Sequence, residues 1–396
     1  MLEDLIRLRS SSLEPDHPTT VTTAYSADGT RIVEGYTTQD DDDNPQRIAQ
    51  QMGVRIPDGF TAHIVEARHD PAAWHRDNQG DDAVTRPVVR YRLRIEPDTR
   101  PPRLPLADLL DLIGQPITHT TTPTASSDAA YLVLAGDLQL GKIDQGGTPA
   151  AVTRFLNAHQ ASTTRWLQLF NHGEVGTHVL LVWAGDVLEG NVSQNGNLAA
   201  AGRTDLTITE QLRVWRKLLT RQVLDWLDLG VHLTITVTPG NHDEAERRGR
   251  ITRSPLDSWA IEGAASVADL IDSTPHAGMA TWVLPTPEKL TTTLEIAGTR
   301  VGVAHGHQIP GGKTHTWLAN KALARDPIGT VDLLITGHRH RLHLQQLGPT
   351  LHIQIPALET GSDHHDERYG GGETGGLVTM TTVNRSWSNL SQIGNT

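Results

Sequence analysis

Five short segments of the sequence carry side chains that hold divalent cations well. They are Gly136-Asp137-Leu138-Gln139, Gly185-Asp186 with Glu189 three residues on, Gly240-Asn241-His242-Asp243, His305-Gly306-His307 and Gly337-His338-Arg339-His340. Each follows an apolar run, so each stands where a buried strand would release the chain. Taken alone, a Gly-Asp after a strand reads as a turn and a His-x-His pair is weak evidence of a metal. The ordered set is far more specific. Carboxylate and amide oxygens mixed with imidazoles suit a two-ion centre for manganese, iron, zinc or a similar ion, and sit poorly with soft copper or an all-oxygen calcium cage. Two cations side by side need a shared anion, and Asp186 is the candidate bridge. The chain has no cysteine, which removes thiolate zinc sites, cysteine nucleophiles and disulfides together.

Such ligands need a scaffold that brings strand ends together, and an open α/β sheet gathers its ligands at the carboxyl ends of its strands. The runs "YLVLA" before Asp137, "HVLLVWAGD" ending at Asp186 and "VHLTITV" before Gly240 alternate with helical patterns. Thr148 and Pro149 open one helix running toward Phe170, and Leu212, Trp215, Leu219, Val223 and Trp226 share a face of another. This βαβ order predicts parallel, neighbouring strands. Further on, "TTLEIAGTRVGVAHGH" reads as a hairpin, "VDLLITGHRH" as a buried strand and "LHLQQLGPTLHIQIPAL" as a second hairpin. Trp166, Trp183, Trp215 and Trp226 fall at core-compatible spacings.

With 396 residues, 37% of them hydrophobic, the chain can bury one large core or two smaller ones. Two compositional breaks divide it. Residues 40–43 are a solvated acidic run before an Asn44-Pro45 helix start, and the Thr-, Ser- and Pro-rich stretch 118–130 reads as a linker. The expected division is an N-terminal module over 1–128 that carries no catalytic motif, a catalytic domain over 129–383 and a tail over 384–396. In the first, "VVRYRLRI" alternates, with Val89, Tyr91, Leu93 and Ile95 on one face and Arg90, Arg92 and Arg94 on the other. That basic face is either solvated or in contact with a polyanion. A net charge of −12 argues against gripping nucleic acid over the whole surface, so any such contact falls to local basic patches. The acid-bearing start lacks an apolar signal core and no apolar run approaches bilayer length, so the chain reads as cytoplasmic and without membrane contact.

Residues 131–383, with "GDLQLG", "GDVLEG", "GNHDE", "AHGH" and "GHRH" in order, resemble the calcineurin-like metallophosphoesterase superfamily. Within it they look closest to the SbcD/Mre-type DNA repair nucleases and to the phosphoesterases that many phages encode. The resemblance implies an α/β fold, a four-layer α/β/β/α sandwich, beside which the N-terminal module would be a separate, smaller α+β unit. It also implies two divalent ions, with manganese first and magnesium, iron, zinc, nickel or cobalt as alternatives. Carried over position by position, Asp137, Gln139, Asp186 and His340 would hold the first ion, and Asp186, Asn241, His305 and His338 the second. A hydroxide activated by both would attack phosphorus in line, His242 would act on the leaving oxygen, and Asp243 would orient His242. Glu189 would steady a ligand by accepting a hydrogen bond. The implied substrate is DNA, cut as an exonuclease or endonuclease, with a homo-oligomer or a helicase/ATPase as partner. For a phage-encoded chain the setting is the host cytoplasm. Phosphomonoesterase or phosphoprotein phosphatase chemistry is an alternative, and so is a non-catalytic binding module with a degenerate site.

Gln139 departs from the Asp-x-His pattern of the family. Its carbonyl oxygen is a neutral, harder and weaker donor than imidazole, so it would ligate directly, act through a water, or mark a degenerate site. His307 would reach substrate phosphate or support His305. Arg247, Arg248, Arg250 and Arg253 follow Asn241 and His242, where they would meet a DNA backbone or pair with Glu244 and Glu246. His364 and His365, in a glycine-rich stretch, read as surface loop.

Overall fold

In the computed structural model the chain divides into two compact units, Met1–Arg100 and Pro101–Thr396. The residues described are 21–25, 31–37, 44–77, 84–97, 105–114, 127–190, 204–245, 257–286, 289–359 and 375–394. The acidic run 40–43, most of the linker 118–130, Arg247, Arg248, Arg250, Arg253, His364 and His365 lie outside them.

The first unit contains strands β1 (Thr22–Tyr25), β2 (Arg31–Thr37), β3 (Phe60–Asp77) and β4 (Val84–Pro97), with helix α1 (Pro45–Gln51) between β2 and β3. The strands form one antiparallel sheet in the order β1-β2-β4-β3. Asn44 caps α1 by accepting from the Gln46 and Arg47 amides, and Pro45 takes the first helical position, where its missing N–H costs nothing. Val89, Tyr91, Leu93 and Ile95 are buried against Ile48, Ala49 and Met52 of α1, as the alternation predicts. On the other face Arg90 and Arg92 pair with Glu34 of β2, and Arg94 pairs with Glu96. The basic stripe is therefore solvated and balanced by acids of its own sheet.

The second unit begins with helix α2 (Leu106–Ile113), then runs β5 (Ala130–Ala135), α3 (Gly147–Asn171), β6 (His178–Trp183), α4 (Ile208–Asp228), β7 (His232–Val237), α5 (Trp259–Asp272) and β8 (Ala280–Val283). It continues through β9 (Thr291–Ile296), β10 (Thr299–Ala304), α6 (Thr314–Leu323), β11 (Leu333–Thr336), β12 (His343–Leu347), β13 (Thr350–Gln354), β14 (Leu377–Val383) and β15 (Ser386–Ile393). One six-stranded sheet has the order β15-β14-β5-β6-β7-β8, with β5 to β8 parallel. The five-stranded sheet has the order β12-β13-β11-β10-β9, with β10, β11 and β13 parallel. Both expected hairpins form, as β9/β10 and β12/β13.

The sheets stack through apolar side chains of alternate strand positions, among them Leu132, Leu134, Leu180 and Val182 against Val301, Val303, Ile335 and Ile353. Helices cover the outer face of the larger sheet, where Trp166, Trp183, Trp215 and Trp226 are fully buried. Leu318 of α6 packs on Ala304 and Leu334 of the smaller sheet. The result is the α/β/β/α sandwich. Among the described residues no helix is long and apolar enough to cross a membrane.

Two boundaries need correction. The module does not reach residue 128, because α2 buries Leu109 and Ile113 in the second unit's core. Arg221 of α4 also donates to the Ile113 carbonyl at 2.8 Å. Nor is 384–396 a tail: β15 pairs antiparallel with β14, its Trp387 opposite Thr382.

Candidate metal centre

The predicted ligands meet where β5, β6, β7, β10 and β11 end, and the backbone there is unusual. Asp137, Gln139, Asp186, His338 and His340 have φ of 50°, 45°, 50°, 69° and 54°. This left-handed region is costly for residues with a Cβ, on the order of 1 kcal/mol each, and persists only where the surroundings over-determine it. Asp137 and Gln139 donate their amides to the Gly185 and Asp186 carbonyls, each at 3.0 Å. The His338 amide donates to Asp137 Oδ2 at 2.9 Å and the His242 amide to Asp186 Oδ1 at 2.8 Å. Glycine is required beside them, since a Cβ on Gly240 would overlap Asp186 Oδ1 and one on Gly337 would stand 2.6 Å from Asp137 Oδ2.

Asp243 holds this arrangement rather than orienting His242. Its fully buried carboxylate accepts from the amides of Asp186 (2.7 Å), Val187 (3.0 Å), Leu188 (3.1 Å) and Gly240 (2.9 Å). Burial and the charge of Asp186 push its carboxyl up to about 7, against backbone donors that favour the anion. The ring of His242 is held instead by Glu189: Nδ1 donates to the Glu189 carbonyl at 3.0 Å, with Glu189 Oε2 at 3.4 Å. Glu189 thus serves His242 and not a metal ligand. Burial opposes a charge on His242, but its hydrogen bonding to Glu189 and the charges of Asp186 and Glu189 raise it to about 10.

At the second ion position, Asp186, His305 and His338 bring one ligand atom each to within 4.8 Å of one another. His305 Nδ1 lies 2.7 Å from the Ala184 carbonyl and must donate to it. In the neutral ring Nε2 then presents a lone pair to Asp186 Oδ2, 2.9 Å away. Two acceptors so close require a cation. Where a proton serves, it raises His305 to about 9: burial opposes the charge, and the Asp186 and Asp137 carboxylates outweigh it. Complete burial likewise opposes ionisation of Asp186, yet His305 and His242 hold it well below the usual carboxylate range. His338 is pushed down to about 4 by burial and by His305, which leaves the neutral imidazole that a metal needs. Asn241 Oδ1 is buried without a hydrogen-bond partner among the described residues. The His307 ring lies tilted 5.4 Å from that of His305 and edge-on 6.2 Å from that of His338.

The first position is built differently. Asp137 Oδ1, buried, lies 3.3 Å from His340 Nε2, while His340 Nδ1 donates to Glu359 Oε1 at 2.6 Å. A carboxylate behind a ligand histidine fixes the ring and raises its basicity. Glu359 was not singled out by the sequence, although "PALET" follows the last strand of the smaller sheet and the Glu359 amide donates to the Asp137 carbonyl at 2.9 Å. Gln139 is buried beside Asp137, and its Oε1 accepts from Lys142 Nζ at 3.3 Å. Lys142 also contacts Glu359 Oε2. Lys142 and Glu359 form an ion pair, joined through the Glu359 carboxylate to the His340 ring, around the residue that replaces histidine.

The residues fit divalent ions. Asp137 Oδ1, Asp186 Oδ2 and Asn241 Oδ1 are buried acceptors with no hydrogen-bond donor among the described residues, and His305 and His340 turn Nε2 toward two of them. Of the comparisons with known proteins, one bears on this chemistry. A search of curated proteins returns no match. A predicted phosphoesterase of Streptococcus pneumoniae is 11% identical with a TM-score of 0.32, covering 68% of this chain and 92% of its own. Vps29 of Cryptosporidium parvum is 12% identical with a TM-score of 0.31, covering 68% and 100%. An archaeal phosphodiesterase is 12% identical with a TM-score of 0.31, covering 66% and 99%. None of these three likenesses bears on the site. The family pattern does, since it matches residues 126–342 and so takes in the ends of β5, β6, β7, β10 and β11: the chain belongs to the calcineurin-like phosphoesterases, a family of metal-dependent phosphoester hydrolases.

Proposed function

We propose that this protein is a two-ion phosphodiesterase that cuts DNA. The observation that carries the reading is His242, whose ring stands beside the ligand cluster without joining it. Its Nδ1 is taken by the Glu189 carbonyl, so Nε2 is the atom able to hand a proton to a leaving oxygen. A phosphoester of an alkyl alcohol releases an alkoxide, which departs poorly without that proton, and against the cost of burial the hydrogen bonding to Glu189 with the charges of Asp186 and Glu189 favours the protonated ring. Divalent ions, when bound, would neutralise charge on phosphorus oxygens and supply a nucleophile at neutral pH. Asp186 and Asp137 on one sheet, with His305, His338 and His340 on the other, would hold them, and Asn241 would complete the second position. Asp243 keeps the Asp186 turn in shape, and Glu359 keeps the His340 ring in place. DNA as the substrate is supported by the resemblance of the motif set to repair nucleases.

The test compares bis(p-nitrophenyl) phosphate, p-nitrophenyl phosphate and linear single- and double-stranded DNA in the presence of manganese. Faster cleavage of the diester than of the monoester, together with DNA cleavage, is the expected result. A preference for the monoester overturns the diester reading. Diester cleavage without DNA cleavage overturns the substrate alone, and inactivity on all with no metal bound favours a binding module.

A further inference from the structure

A pocket of about 130 Å³ shares a wall with the metal centre, and the reaction outlined above gives it no role. Its lining includes Gly306 and Gly337, which flank the ligands His305 and His338, and Arg339, which stands between His338 and His340. The smaller sheet explains why it exists. Helix α6 covers the outer face over β10 and β11, where Leu318 meets Ala304 and Leu334. Over β12 and β13 the same face is polar: His343 lies opposite Gln354 and Gln345 opposite His352, while Leu351 and Ile353 face the sandwich core.

The floor of the pocket is made of buried polar groups, Thr336, His352 and Gln354, at 4%, 3% and 7% exposure. These are expensive unless they meet partners. His352 Nε2 pairs with Thr336 Oγ1 at 2.9 Å, but its Nδ1 has no hydrogen-bond partner among the described residues. The walls are tied to the floor. Gln354 Nε2 donates to the Arg341 carbonyl at 2.9 Å, fixing the segment that carries Arg341, and Arg339 donates to the carbonyl of Ile309, another lining residue, at 3.3 Å. Two guanidinium groups therefore converge here beside the His352 ring, which burial and His343 push down to about 4 and so keep neutral, and no acidic residue lines the pocket among the described residues. In a chain of net charge −12 that local balance selects an anion.

We infer that this pocket seats a phosphate of the substrate strand next to the phosphate being cut. The inference rests on the phosphodiesterase reading and narrows it: the preferred substrate carries at least two backbone phosphates, one on the ions and one between Arg339 and Arg341. A minimal diester reaches only the first.

The experiment uses the full chain with manganese and the variant Arg341→Ala, whose side chain is exposed and so leaves the core intact. The KM of a single-stranded trinucleotide, divided by that of bis(p-nitrophenyl) phosphate, rises about tenfold or more in the variant, the scale of one charge-assisted phosphate contact. On a single-stranded 12-mer the slope of log kcat/KM against log salt becomes shallower by about 0.7, the release expected from one lost phosphate contact. An unchanged ratio and slope, with wild type active on the aryl diester, overturns the pocket assignment alone. Wild type inactive on the aryl diester overturns the reading on which it rests. If inorganic phosphate protects wild type but not Arg341→Ala against unfolding while the ratio stays constant, the pocket holds product phosphate and the strand assignment fails.

Discussion

The two proposed ion positions would share Asp186 but are furnished by opposite means. At the second, the protein supplies donors: Asn241, His338, and a His305 ring aimed by the Ala184 carbonyl. At the first, Gln139 replaces an expected imidazole, its carbonyl is taken by the Lys142 ammonium, and Glu359 answers that cation while aiming His340. A fixed positive charge a few ångströms from a divalent ion works against it, and a neutral amide does less than imidazole to hold it. The contrast predicts that the second position would keep its ion more tightly than the first, in part through Lys142 and Glu359, which are not proposed as ligands.

The sharpest way to break this comparison is to remove what the positions share. Asp186→Asn should empty both and bring turnover down by on the order of 10³-fold or more, read by elemental analysis beside rate measurements. Both ions retained at full rate would show the centre to be misassigned. His242→Ala should cut turnover by about 10²- to 10³-fold with both ions still bound, and by less on substrates with good leaving groups. Equal loss of metal and rate would make His242 a ligand. Glu359→Gln separates the positions: calorimetric titration with manganese should show affinity about 10- to 100-fold weaker at the first position and little changed at the second. The smallest effect belongs to Gln139→His, which should tighten zinc at the first position by several-fold over wild type. Superimposable manganese and zinc curves for the two proteins would place residue 139 outside the coordination sphere.

The strand ends were legible in the sequence because each ligand closes an apolar run, and the period and length of those runs fix both the strand and its terminus. Asp137, Asp186, Asn241, His305, His338 and His340 were found that way. Asp243 was placed beside His242 by adjacency, but adjacent side chains on an extended turn point apart, and its carboxylate instead gathers amides from two separate turns. Lys142 and Glu359 carry no signal in the sequence, because their meaning lies in each other, and a pair so far apart in the chain has no period to reveal it. The N-terminal boundary was set by composition, which marks where the chain turns polar. Packing decided otherwise, through an eight-residue helix with two buried side chains.

The left-handed backbone at five ligand positions sets folding and activity at odds. Gln139 is the plainest case, because asparagine, aspartate or glycine would occupy φ of 45° with less steric conflict. A lineage selected for heat resistance alone would find relief at these turns, on the order of 1 kcal/mol apiece, and wherever it drifted to glycine it would lose the side chain that coordinates an ion. Ala297, Arg325 and Arg385 carry the same kind of strain away from the centre. Thermostable variants recovered without an activity filter should be sequenced at 137, 139, 186, 338 and 340, where relief costs function, as well as at 297, 325 and 385, where it costs none.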